Sequence, residues 1–167
     1  ATCGAEMVED MPPLDMVVLP VGGGGLIAGT SLAIRHELPE AQVWAAEPAD
    51  FDDTVRSLAS GKIERVEPAA RSICDAVVTP APGEMTFAIN GPTLAGGFGV
   101  DDELVLRSMA TAFRHLKLVV EPGGAVALAA ALDGRLPAGA GCVVAVASGG
   151  NVDAEMFRRA LDAGPVV

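Results

Sequence analysis

The apolar run Met16–Val21 passes without a break into four consecutive glycines, Gly22–Gly25, and then into the helical pattern Leu26–Glu37. This passage constrains the fold more than any other. A strand with no polar alternation must be covered on both faces, which calls for a parallel sheet with helices on either side. Four glycines let the backbone take positive φ angles and come close to a ligand. The helix behind them points its free N–H groups and the positive end of its dipole back into the loop. Strand, loop and helix together predict an anion site, since a ligand-free βα turn would need fewer glycines.

The same alternation continues along the chain. Gln42–Glu47, Ala76–Thr79 and Cys142–Ser148 read as further strands. Asp53–Ser60, Glu84–Leu94, Asp101–Leu118, Ala125–Leu132 and Val152–Ala163 read as helices, with Pro39 and Gly61 ending the first two helices after the glycine loop. Thr2–Met11 reads as a helix leading straight into a strand. The expected fold class is α/β, a parallel Rossmann-like sheet flanked by helices.

Charge and composition narrow the function. Twenty-two acidic residues against eleven basic ones give a net charge of −11, which repels phosphodiester backbones and argues against a nucleic-acid partner. The longest unbroken apolar block, Ala125–Leu132, has eight residues, far fewer than the ~20 of a membrane span. Glu6, Glu9 and Asp10 stand where a signal peptide would be basic. Cys3, Cys74 and Cys142 fit neither a disulfide framework nor a zinc ribbon, so reduced thiols in a cytoplasmic protein are expected.

Several ligands could occupy the glycine loop. A Walker loop fails because Thr30 stands where lysine is required. A dinucleotide fingerprint can be read at Gly23, Gly25 and Ala28, with Glu47 as the ribose-binding carboxylate. A second glycine site follows the last strand at Ser148-Gly149-Gly150-Asn151. Ser148 could hydrogen-bond a ring nitrogen of a compact cofactor lying between the two strand ends, or simply cap the last helix. His36, His115, Lys62 and Lys117 fall outside every motif.

Four segments, in order, carry a family resemblance: Val21-Gly22-Gly23-Gly24-Gly25-Leu26, Ala46-Glu47-Pro48, Glu121-Pro122-Gly123-Gly124-Ala125 and Ser148-Gly149-Gly150-Asn151. Together they resemble fold-type-II (tryptophan synthase beta-like) pyridoxal 5′-phosphate enzymes of the threonine/serine dehydratase and serine racemase kind. The resemblance implies that residues 1–167 are the C-terminal part of the large catalytic domain. It implies that Gly22, Gly23, Gly24, Gly25 and Leu26 cradle the cofactor phosphate, that Ser148, with Gly149 beside it, meets the pyridine nitrogen, and that Glu121 lies near the ring. It also implies a cation site for Mg²⁺, Ca²⁺ or Mn²⁺ made by Glu47, the Phe51 carbonyl and Asp53. Without the resemblance, Asp50, Asp52 and Asp53 could equally charge a helix start. Gly123 departs from the pattern, which more often has Ser or Thr there.

The family's Schiff-base lysine segment, S-x-K-x-R-G, and its substrate-carboxylate loop, S-x-G-N-x-A-Q, are absent, while Thr2 and Glu6 match a helix from the middle of the family's chain. The expectation is therefore a chain that starts mid-enzyme, carries no catalytic residue of its own and needs an N-terminal half. No regulatory domain is expected beyond Val167. The resemblance implies a homodimeric parent enzyme that takes a hydroxy-amino acid, deaminating L-threonine or L-serine to a 2-oxo acid and ammonia. Serine racemase or hydroxyaspartate dehydratase activity stays open, as does a non-catalytic phosphate- or nucleotide-binding Rossmann module.

Overall fold

The computed structural model describes residues 2–11 and 13–166. Four parallel strands form one sheet in the order β3-β2-β1-β4. They are β1 (Met16–Pro20), β2 (Gln42–Pro48), β3 (Gly96–Val100) and β4 (Val143–Ala145). Every residue of β1 is buried, as a strand covered on both faces requires. Its side chains alternate between two cores. Met16 and Val18 pack on one face with Val105, Met109, Val126 and Ala129. Val17 and Leu19 pack on the other with Ile27, Ile34 and Val43.

The helices cover these faces. On the first face lie α5 (Asp102–Thr111), α6 (Pro122–Leu132) and α7 (Ala154–Ala163). On the other lies α2 (Gly25–Glu37), which packs against α1 (Thr2–Asp10) and α4 (Glu84–Thr93). Helix α3 (Asp53–Ser60) follows β2 and packs against β2 and β3. Asp101 caps α5, its carboxylate accepting the Leu104 N–H at 2.7 Å, and Asp102 and Glu103 occupy the first turn, as the acidic run predicts.

Two expectations are corrected. Ala76–Thr79 is not a strand: Asp75–Val77 is a short 3₁₀ turn. Upstream of it the backbone is bonded to side chains instead of a neighbouring strand. The Asp102 carboxylate accepts from Ser72 Oγ at 2.6 Å and from the Ile73 N–H at 3.0 Å. The strand next to β2 is Gly96–Val100, whose three glycines hide its pattern. Those glycines make room. A Cβ on Gly96 would come within 2.7 Å of the Trp44 ring, and one on Gly97 within 2.8 Å of Val55 Cγ2. The Trp44 ring is thus free to stack on Phe98 at 5.0 Å between centroids.

Helix ends shift as well. The helix expected over Asp101–Leu118 ends as α at Thr111 and closes in a π turn, Ala112–Leu116. Lys117 then turns the chain at φ 61°. Helix α6 starts earlier than expected, at Pro122, with proline in its first turn. The last strand is shorter than Cys142–Ser148, although the Val146 N–H still reaches Val18 O at 3.0 Å.

Valine favours strands more than glycine does, yet Gly97→Val should destabilise the protein by ~1–3 kcal/mol, because β3 has no room for the side chain. A lower urea midpoint at unchanged slope checks this.

Candidate active site

The C-terminal ends of the strands in an open parallel sheet are where ligands bind. Here a cavity of about 340 Å³ lies at the end of β1, within the range of small-molecule sites. Gly22, Gly23, Gly24, Gly25, Leu26, Glu121 and Ser148 all line it, so residues far apart in sequence meet as the motifs imply. Gly149 lies just behind, its carbonyl accepting the Glu121 N–H at 3.1 Å. Ala76 and Val77 also line the cavity; reading them as a core strand concealed this.

The glycine loop offers backbone donors of the kind an anion needs. The last ladder bond of β1 is Val21 N–H to Ala46 O at 2.9 Å, and the helical bonding of α2 begins with Ala28 N–H to Gly24 O at 3.0 Å. Among the described residues, the N–H groups of residues 22–27 have no acceptor. Six consecutive donors at the N-terminus of a helix suit a phosphate, whose charge the helix dipole also favours. A Cβ at Gly23 or Gly25 would meet nothing within 4 Å. Gly24, at φ 87°, faces the other way, and a Cβ there would lie 2.8 Å from Asn90 Nδ2.

Two open alternatives close here. Ser148 does not cap the last helix, because Asp153 does so, accepting the Met156 N–H at 2.8 Å. Glu47 does not serve as a ribose acid beside the glycine loop. It is buried, and its carboxylate oxygens accept the N–H groups of Thr54 at 3.2 Å and Val55 at 2.9 Å, at the start of α3.

Two of the expected cation ligands, Glu47 and Asp53, lie near one another at that helix start. Asp53 is buried and neither of its carboxylate oxygens has a hydrogen-bond partner. Burial pushes the Glu47 carboxyl up to about 8, with the Asp53 charge adding to the rise and the Thr54 and Val55 bonds opposing it. Burial likewise pushes Asp53 up to about 6. Asp52 is paired with Arg56 at 2.6 Å. Among the described residues no three His, Cys, Asp or Glu side chains cluster as metal ligands, so no cation site is shown around Glu47 and Asp53.

The residues present fit pyridoxal phosphate: free backbone donors for the phosphate and a neutral hydroxyl, Ser148, in the same cavity. The chain's two lysines, Lys62 and Lys117, do not line it. The pyridoxal-phosphate dependent enzyme family matches residues 1–149. The chain belongs to this family. It is 35% identical to an L-threonine ammonia-lyase of Thermotoga maritima over 99% of its own length and 41% of that protein's. It is 34% identical to a serine racemase of Dictyostelium discoideum over 96% of its length and 50% of that protein's. The structure of maize serine racemase superposes with a TM-score of 0.88 at 32% identity, covering 96% of this chain and 50% of the maize chain. The chain thus spans about half the length of the curated relatives it matches.

Both raised carboxyl groups favour the folded state in their protonated form. Their stabilisation is complete below the ordinary carboxylate range and is lost as pH rises through about 6 and then about 8. In a chelating buffer the urea midpoint should therefore fall between about pH 4.5 and 8. Glu47→Gln should flatten the upper part of that fall.

Proposed function

We propose that the chain is the phosphate-holding part of a pyridoxal-phosphate-dependent ammonia-lyase that deaminates L-threonine or L-serine by β-elimination, giving a 2-oxo acid and ammonia. The observation that carries this reading is the run of acceptor-free N–H groups in residues 22–27, on a cavity that Ser148 and Glu121 also reach. When bound, the cofactor supplies an electron sink for the bond broken at the substrate α-carbon. Gly22–Gly25 and Leu26 hold its phosphate through the backbone and the dipole of α2. Ser148 offers the pyridine nitrogen a neutral hydroxyl, which does not force a proton onto the ring as a carboxylate would. The weaker sink suits elimination, where the departing hydroxyl carries the electrons away. Glu121, half-buried at the start of α6, borders the ring.

The lysine and the grip on the substrate carboxylate come from the other half of the enzyme, without which this chain is inactive. The whole enzyme is a homodimer working in the cytoplasm, a reading supported by the family resemblance and by three free cysteines. Among the described residues no helix is long and apolar enough to cross a membrane. Glu47, the Phe51 carbonyl and Asp53 hold a Mg²⁺, Ca²⁺ or Mn²⁺ ion; the buried, partnerless Asp53 carboxylate supports this.

Titration with pyridoxal 5′-phosphate, pyridoxal and NAD tests the cofactor. The chain should prefer pyridoxal 5′-phosphate to both others. Gly23→Asp, which puts a carboxylate into open space beside the donors, should weaken that binding by more than about tenfold. Equal binding of pyridoxal and its phosphate would remove the proposal, and tighter binding of NAD would favour a nucleotide module.

The cation predicts a rise in melting temperature with divalent ions over monovalent salt of equal ionic strength. Asp53→Asn should abolish the rise. Persistence of the full response in that variant would place the ion elsewhere.

A further inference from the structure

Three polar side chains, Thr86, Asn90 and Thr93, recur at positions i, i+4 and i+7 of α4, which places them on one face of the helix. This face meets the glycine loop and α2. Thr86 Oγ1 lies 2.6 Å from Gly23 O and 3.0 Å from Gly83 O. A hydroxyl has one proton to donate, and the shorter contact is to Gly23. The Gly83 N–H adds a second donor to Gly23 O, at 3.4 Å. Asn90 Nδ2 donates to Gly24 O at 3.4 Å. Thr93 Oγ1 lies 3.0 Å from Ser31 Oγ on α2. No α4 residue lines the cavity.

A trans peptide carries its C=O and the next N–H on opposite sides. Holding Gly23 O on α4 therefore turns the Gly24 N–H away from α4, and Gly24 O, shared between Asn90 and the Ala28 N–H at 3.0 Å, turns the Gly25 N–H outward from the start of α2. Gly24 completes the arrangement. Its φ of 87° suits glycine, and a Cβ there would lie 3.0 Å from Thr86 Oγ1 as well as against Asn90. Asn90 is 1% exposed, and its Oδ1 has no donor. A buried acceptor without a partner costs stability, so the fold alone gives no reason for an amide here.

We infer that Thr86 and Asn90 are positioning residues for the phosphate cradle: by taking the carbonyls of Gly23 and Gly24 they aim the N–H groups of Gly24 and Gly25 at the cavity. The inference rests on the cradle reading above.

The test compares the parent with Thr86→Val, Thr86→Ser and Asn90→Leu. For each, the ratio of affinities for pyridoxal 5′-phosphate and pyridoxal is measured alongside the melting temperature. Thr86→Val and Asn90→Leu should each lower the ratio about three- to tenfold, while pyridoxal binding stays as in the parent. Thr86→Ser should keep the parent ratio. Asn90→Leu should melt no lower than the parent, because it removes the orphaned Oδ1, so its loss of discrimination would not be a loss of fold. An unchanged ratio in both Thr86→Val and Asn90→Leu, or a Thr86→Ser that behaves like Thr86→Val, would overturn the inference and leave the cradle standing. A parent with no preference for the phosphorylated ligand would overturn the cradle reading, and this inference with it.

Discussion

Strand β1 has neighbours on both edges and no exposed side chain, so the chain can meet solvent only where the strand ends. Its ladder closes at Val21, and the backbone beyond has lost its partners before α2 supplies new ones. Burying both faces of β1 fixes what surrounds that gap. Helix α2 folds back over one face through Ile27 and Ile34, and α6 covers the other with Ala125, Val126 and Ala129. The first turn of α2 and the N-cap of α6, Glu121, both line the same cavity. Two helix N-termini bring positive potential there without one arginine or lysine in the lining. A chain of net charge −11 can thereby attract a phosphate locally while its surface repels polyanions.

The sequence was most readable where backbone chemistry alone decides the outcome. Gly22–Gly25, Glu121 and Ser148 were placed by short motifs, and all reach one cavity. Strands β1 and β2 were visible as apolar runs. Gly96–Val100 was not, because its glycines answer to the Trp44 ring on β2 and to Val55 on α3, and long-range fit leaves no local pattern. Ala76–Thr79 looked like a strand because a turn that lines a cavity can have the same apolar composition as a strand, although only Val77 of the four is buried. The stripe of Thr86, Asn90 and Thr93 was present as a helical period in the sequence. It gained meaning only when the partners of Thr86 and Asn90 proved to be carbonyls of the glycine loop and a partner of Thr93 the Ser31 hydroxyl on α2, all more than sixty positions away.

The acidic turn after β2 shows how burial changes the meaning of a charge. A run containing Asp50, Asp52 and Asp53 suggests a solvated helix start. In the fold, however, Asp52 turns to Arg56, and Glu47 at the end of the strand supplies the acceptor for the first N–H groups of α3. Asp53 is left inside with no donor. Two buried carboxyl groups this close cannot both ionise cheaply, so burial favours their protonated forms. Their protonation couples the end of β2 to the start of α3, next to the strand that carries the glycine loop.

The two glycine motifs nearest the C-terminus form a single wall. A Cβ on Gly149 would run into the Glu121 carboxylate, and one on Gly124 would strike the Gly149 carbonyl. A Cβ on Gly150 would come within 2.6 Å of Val119 O. With the Glu121 N–H bonded to Gly149 O, backbone rests on backbone, and the separation of Glu121 from Ser148 is set without intervening side chains. The contacts at Gly124 and Gly150 are with backbone and cannot relax by changing a rotamer, whereas the contact at Gly149 is with the Glu121 side chain. The glycines at 124, 149 and 150 therefore act on the cavity indirectly, by holding together a carboxylate and a hydroxyl that come from different strand–helix units.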